Sequence, residues 1–419
     1  MVLPDVAAIP AIRRRSHVVL IAGQALAGIG MGATVSAGAL LASQVSGSPA
    51  WSGMAATMST LGTALAALPL AALARRLGRS PALATGAVAA VLGAVVGLVG
   101  TALSSFPLLL VGLALLGVGM AVNLQSRFAA TDLSEPDRRG RDLAIVVWAT
   151  TIGAVAGPNL IGPADSLGLA LGLPTLAGVF LFTIAAQILA AALYFFALRP
   201  DPLRVAQALG AADETAGVAV PTGEDRAGVR TGILATSFAN ATMVSVMAMT
   251  PVHLVEHGAT LPVVGLTLSL HVAGMFGLSP VFGWLSDRIG REPVIALGQG
   301  LFLAALLMTS LGAENTGWVL AGLISLGLGW SAASVAGSAL VAESAGIERR
   351  TVVQGRSDLF MSLAGAVGGA ASGPVLAGLG YSGLSFVAMA LAVAVLVVVG
   401  LRAPATRRFR PAEPVPPAE

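Results

Sequence analysis

The sequence predicts an all-α membrane protein of twelve transmembrane helices, arranged as two six-helix bundles. Three observations lead there. Of 419 residues, 56% are hydrophobic and 10% charged, with a mean hydropathy of +0.87. A soluble domain needs a charged surface that such a chain cannot supply. Apolar runs long enough to cross ~30 Å of hydrocarbon, about 20 residues each, recur along the whole chain. Finally, these runs divide into two sets of six that resemble each other.

In order, the runs lie at 17–43, 51–74, 82–103, 106–127, 142–162, 174–198, 230–255, 262–286, 294–313, 316–342, 351–378 and 380–401. The first follows Arg13, Arg14 and Arg15 and is too long for a cleaved leader, so it reads as a retained span. The basic residues are all Arg, and they sit at alternate loops. Arg75, Arg76 and Arg79 follow span two, and Arg138, Arg139 and Arg141 follow span four. Arg199, Arg204, Arg226 and Arg230 bracket the middle segment, Arg288 and Arg291 follow span eight, and Arg349, Arg350 and Arg356 surround the start of span eleven. The other loops, near Ser46, Ser104, Asp165, Glu256, Glu314 and Tyr381, carry no Arg. Positive loops stay cytoplasmic, so both termini are expected inside. The pI of 10.4 has this source, and no nucleic-acid partner is expected.

The polar segment between the sets is rich in Gly, Pro, Asp and Glu. The expected organisation is a six-helix bundle over 1–198, a cytoplasmic linker over 199–229 with a short helix near Pro202 to Leu209, a second bundle over 230–402, and a disordered tail over 403–419. The repeat is read from three matches in the same order. Leu77-Gly78-Arg79-x-Pro81 parallels Ile289-Gly290-Arg291-x-Pro293. Gly112, Gly117 and Gly119 parallel Gly322, Gly327 and Gly329. Asp142, Gly153, Gly157 and Pro158 parallel Asp358, Gly369, Gly373 and Pro374.

The stretch Gly283-Trp-Leu-Ser-Asp287-Arg288-Ile-Gly290-Arg291 resembles the GxLxDRxGR loop signature of the major facilitator superfamily. That resemblance covers essentially the whole chain. It implies two bundles rocking about a central cavity, with these five named residues at a cytoplasmic gate. The N-terminal copy departs from the pattern, because Ala71 and Arg75 stand where Gly and Asp are expected. A gate role is therefore expected more of the second loop than of the first.

Side-chain chemistry narrows the cargo. With no Cys, thiolate metal sites and thiol catalysis are excluded. Nothing matches a phosphate loop, so direct ATP-driven pumping and enzymatic activity are not expected. No carboxylate lies near a span centre, and His271 is the one titratable group there. Met243 and Met247 share one helical face, as do His271 and Met275. Neutral thioether and imidazole ligands suit a soft cation, above all Cu(I). Met also fills gaps in apolar cores, and Met54 with Met58 makes another such pair.

MxxxM in span seven and HxxxM in span eight resemble the CcoA-like branch of the superfamily, bacterial copper importers. The resemblance implies copper import across the inner membrane, with Met243, Met247, His271 and Met275 as ligands. Copper is then a substrate, and no cofactor is expected. The branch has relatives linked to riboflavin, so a small organic solute stays open as the alternative. Gly153-x-x-x-Gly157-Pro158 resembles the GxxxGP pattern of antiporters and keeps drug efflux open, although Gly373-Pro374 in the second half lets the pattern record symmetry instead. Arg127 can pair with Asp132 or Asp142, and His253 and His257 can gather a metal at the outer end. Pro251 is expected to kink span seven. The bilayer and the transported solute are the expected partners of a monomer.

Overall fold

The computed structural model describes residues 6–48, 51, 54–215, 225–346 and 348–407. Among them every regular element is helical. The first half comprises α1 (Ile9–Ser46), α2 (Met54–Leu77), α3 (Arg79–Ala102), α4 (Phe106–Ala129), α5 (Arg139–Ala170) and α6 (Gly178–Ala192), the last prolonged by a π turn over Leu193–Ala197. A short helix, α7 (Pro202–Thr215), lies in the segment between the halves. The second half comprises α8 (Arg226–Glu256), α9 (Leu261–Phe276), α10 (Ser279–Ile289), α11 (Arg291–Leu311), α12 (Thr316–Ser344) and α13 (Arg350–Arg407).

Ten stretches among the described residues are individually long and apolar enough to cross a membrane. That figure counts α13 once and leaves out α5, so the described residues make twelve passes. Within α13 the helix is interrupted at Gly380, with φ +69° and ψ −179°. That region of φ favours a residue without Cβ. The two limbs run in opposite senses. Asp358 and Arg402 bond to residues at the arginine-rich end of the molecule, Arg127 and Asp225 respectively. Tyr381 and Ser382 bond at the opposite end, to Thr250 and to the Ser310 carbonyl.

Two expectations need correction. Span eight is not one helix: it breaks between α9 and α10, at Gly277 and Leu278. Pro280 in the first turn of α10 has no N–H to continue the ladder, and its ring disfavours helix before it. Span seven is a single helix that contains Pro251. The C-terminal helix also continues to Arg407, so 403–407 are helical and only 408–419 of the expected tail lie outside the described residues.

Glycine lets the bundles close. A Cβ at Gly153 would lie 2.2 Å from the Gly28 backbone, and one at Gly157 would lie 2.4 Å from that of Gly32. The GxxxGP stretch thus sits where α5 packs directly on α1, an arrangement that small residues permit in lipid. Each half has its own apolar cores. A separate cluster, including Phe128, Leu143 and Ala144 with Val335, Val341 and Val353, joins the halves at the arginine-rich end.

Candidate functional site

The halves are tied together at the arginine-rich end. After α10 the chain turns through Gly290 at φ +99°, a conformation that favours glycine. The turn presents Asp287 to the start of α5 in the other half. Its carboxylate accepts hydrogen bonds from the backbone N–H of Gly140 and of Arg141, both at 2.8 Å. A negative charge is stabilised by those unpaired N–H groups and by the helix dipole. Arg291 pairs with Asp287, reaches Glu343 at 3.0 Å, and donates to the Pro136 carbonyl at 3.3 Å. Gly283 makes the contact close: a Cβ there would lie 2.4 Å from the Ala144 methyl. Arg288 stands apart, exposed, with its guanidinium 5.2 Å from the centre of the Trp284 ring.

The N-terminal copy of the loop also bridges the halves, contrary to the expectation from its altered residues. Arg79 is 1% exposed and holds Asp132 through two bonds, at 2.8 and 3.2 Å. It also donates to Gln354 on α13 at 2.6 Å. Ala71 does stand in the glycine position, but the small residue is on the opposite helix: a Cβ at Gly355 would lie 2.4 Å from the Ala71 methyl. Close approach needs one small partner, and either helix can supply it.

Arg127 pairs with neither Asp132 nor Asp142. Its partner is Asp358, 2.7 Å away on α13, with both side chains almost fully buried. The same guanidinium lies 3.5 Å from the Met361 sulfur. Asp142 stays within its own half, accepting from Ser134 at 2.5 Å and lying 3.6 Å from His17. From Met361 a chain of contacts runs on through the second bundle. Asn240 of α8 donates to the Met361 carbonyl at 2.9 Å and accepts from the Trp330 indole at 3.2 Å. The Trp330 ring meets Phe276 edge-on at 5.5 Å.

Phe276 follows Met275, so this chain ends beside the sequence-predicted metal residues. Met243 and Met275 are buried in one apolar cluster with Trp330 and Met361, and Met247 packs against it from a half-buried position. His271 is fully buried, and its Nδ1 donates to the Leu323 carbonyl of α12 at 2.8 Å. That bond fixes the tautomer and leaves Nε2 with a free lone pair, which meets no protein donor. Helix α8 packs mainly on α13 and α9 mainly on α12, and the two touch each other little. Among the described residues no three His, Asp or Glu side chains gather as a metal site.

At the opposite end, His253 is buried, donates to the Ala313 carbonyl at 2.7 Å and stacks on Tyr381 with ring centres 4.1 Å apart. His257 is exposed, and its Nδ1 bonds to the His253 carbonyl at 2.8 Å. Both face a cavity of about 610 Å³ that Glu256 and Glu314 also line. Sequence reasoning missed Asn240, Trp330 and Met361. The available signal was an amide and an indole inside otherwise apolar spans, where polar groups are costly and need a partner.

Comparison with known proteins places this architecture. The profile of the Major Facilitator Superfamily matches residues 20–221 and 231–418. The uncharacterized MFS-type transporter YdeG of Bacillus subtilis is 36% identical over 92% of this chain and 91% of its own. The riboflavin transporter RfnT of Brucella anthropi is 28% identical over 93% of this chain and 96% of its own. Among solved structures, the human organic anion transporter MFSD10 superposes with a TM-score of 0.75 at 17% identity, over 92% of this chain and 99% of that one. The chain is thus a multi-pass membrane transporter and not an enzyme. By length matched and by arrangement of helices, it belongs to the Major Facilitator Superfamily.

Proposed function

We propose that this protein carries a small organic solute with a flat heteroaromatic ring, of the riboflavin kind, across the cytoplasmic membrane by alternating access. The observation that carries this reading is the full-length relationship to a riboflavin transporter. The second bundle supports it chemically. Trp330 and Phe276 offer ring surface, and Asn240 offers an amide beside them; aromatic faces and a few polar groups are the usual furniture of a small-molecule site. In this reading the arginine-rich face is cytoplasmic, both termini lie inside, and one chain is the working unit. The described state is then closed to the cytoplasm, because the polar contacts that join α3, α4 and the start of α5 to the other half lie at that end.

Copper import is the second reading, and one observation favours it: His271 keeps a buried, unpaired Nε2 within one turn of Met275. Cells lacking their own riboflavin supply, expressing this chain, separate the two. Labelled riboflavin uptake that falls at least tenfold in Trp330→Ala supports the organic solute. Uptake of radioactive copper that depends on His271 and Met243, with no riboflavin uptake, replaces it.

A further inference from the structure

The second bundle has a furrow on its outer side, between α8 and both limbs of α13. It encloses about 850 Å³, and its walls are apolar, with Phe238, Phe360, Leu363, Val367 and Val387 prominent. Val367 is 68% exposed and Phe360 51%. In a membrane protein those side chains meet lipid tails. The floor is closed by close approach of the helices: a Cβ at Gly368 would lie 2.8 Å from the Ala241 carbonyl.

The furrow has length and polarity. Its lining runs from Arg230 to Ser245 on α8 and from Phe360 to Val375 on α13. At 1.5 Å per helical residue each wall is ~22 Å long, more than the ~15 Å that one leaflet contributes to the hydrocarbon core. A whole acyl chain of one leaflet therefore fits along it. Arg230 is its one charged lining residue and stands at the arginine-rich end. It is exposed, and among the described residues no carboxylate or carbonyl accepts from it. Arg356 lies one turn before Phe360, on the same helical face, and is also exposed. The nearest acid on α8, Asp225, is committed to Arg402 and to the N–H of Gly228 at 2.9 Å.

We propose that the furrow is a phospholipid site. It takes one acyl chain of an anionic phospholipid from the leaflet at the arginine-rich face, with the headgroup phosphate between Arg230 and Arg356. The pairing of a negative headgroup with two unneutralised guanidinium groups selects anionic over zwitterionic lipid.

Native mass spectrometry of the purified full chain, stripped of lipid and titrated with phosphatidylglycerol or phosphatidylethanolamine, tests this. One phosphatidylglycerol should be retained at energies that remove the remaining lipid. Arg230→Gln should weaken retention about fivefold, and the pair with Arg356→Gln about 25-fold. Ala371→Trp, at an exposed lining position, should abolish retention by filling the furrow. Equal retention of both lipids overturns the proposal. So does retention of phosphatidylglycerol that Arg230→Gln leaves unchanged, which can be read even if the tryptophan variant fails to fold.

Discussion

At the scale of single residues, the Arg127–Asp358 pair is the most consequential polar contact in the molecule. It joins the halves in a buried setting, where ionised groups cost several kcal/mol each unless paired. Removing one partner strands the other. Arg127→Met should therefore lower stability by about 3–5 kcal/mol, whereas Arg127→Met combined with Asp358→Leu should recover most of that loss. Thermal unfolding of the four proteins in detergent checks this, and an additive double variant would show that the two charges do not interact. The pair also marks a limit of sequence reading. Asp358 was visible as the repeat partner of Asp142, yet its real partner is 231 residues away. Helical periodicity reports which face a residue occupies, not which helix that face meets. Asp287 is a sharper case, because its carboxylate accepts from the backbone N–H groups of Gly140 and Arg141, and backbone donors leave no mark in composition.

At the scale of elements, most of what the sequence encodes concerns the lipid and not the neighbours. Hydropathy marked all twelve passes because each must satisfy its backbone within itself. It missed the break between α9 and α10, where Gly277 and Pro280 were the signal, whereas α8 continues as one helix past Pro251. A proline tells where an N–H is absent; packing decides whether the helix yields there. Glycines behave alike. Gly157 and Gly373 occupy equivalent places in the repeat, but one touches backbone and the other touches nothing. Gly157→Ala should thus force α1 and α5 apart and cost about 1–3 kcal/mol. Gly373→Ala should be neutral or stabilising by up to about 1 kcal/mol, since alanine is the better helix former. Unfolding midpoints of the two variants, measured side by side, should move in opposite directions or differ by at least the cost at Gly157.

At the scale of the whole molecule, two sets of contacts at one end join the halves beside the Arg127–Asp358 pair. The first joins α10 to α5 through Asp287 and Arg291, and the second joins α2 and α3 to α13 through Ala71, Arg79 and Gln354. The sets share no residue, so their energies should add. Asp287→Asn keeps an acceptor but loses the charge that draws the α5 terminus and Arg291. Gln354→Leu removes the one acceptor that Arg79 finds in the other half. Each change should weaken closure by about 1.5 kcal/mol, the low end for hydrogen bonds to charged groups, and each should raise the open population about tenfold. Together they should raise it about 100-fold. The absence of native Cys makes this directly measurable. Spin labels on cysteines replacing the exposed Arg75 and Arg288, one in each half, report the distance across the arginine-rich face. Each single variant should add a longer-distance population, and the double variant should be dominated by it. If the distance distribution stays that of the parent in both single variants and in the double, these contacts do not hold the closed state, and closure must come from the Arg127–Asp358 pair and the apolar cluster of Phe128, Leu143 and Val353.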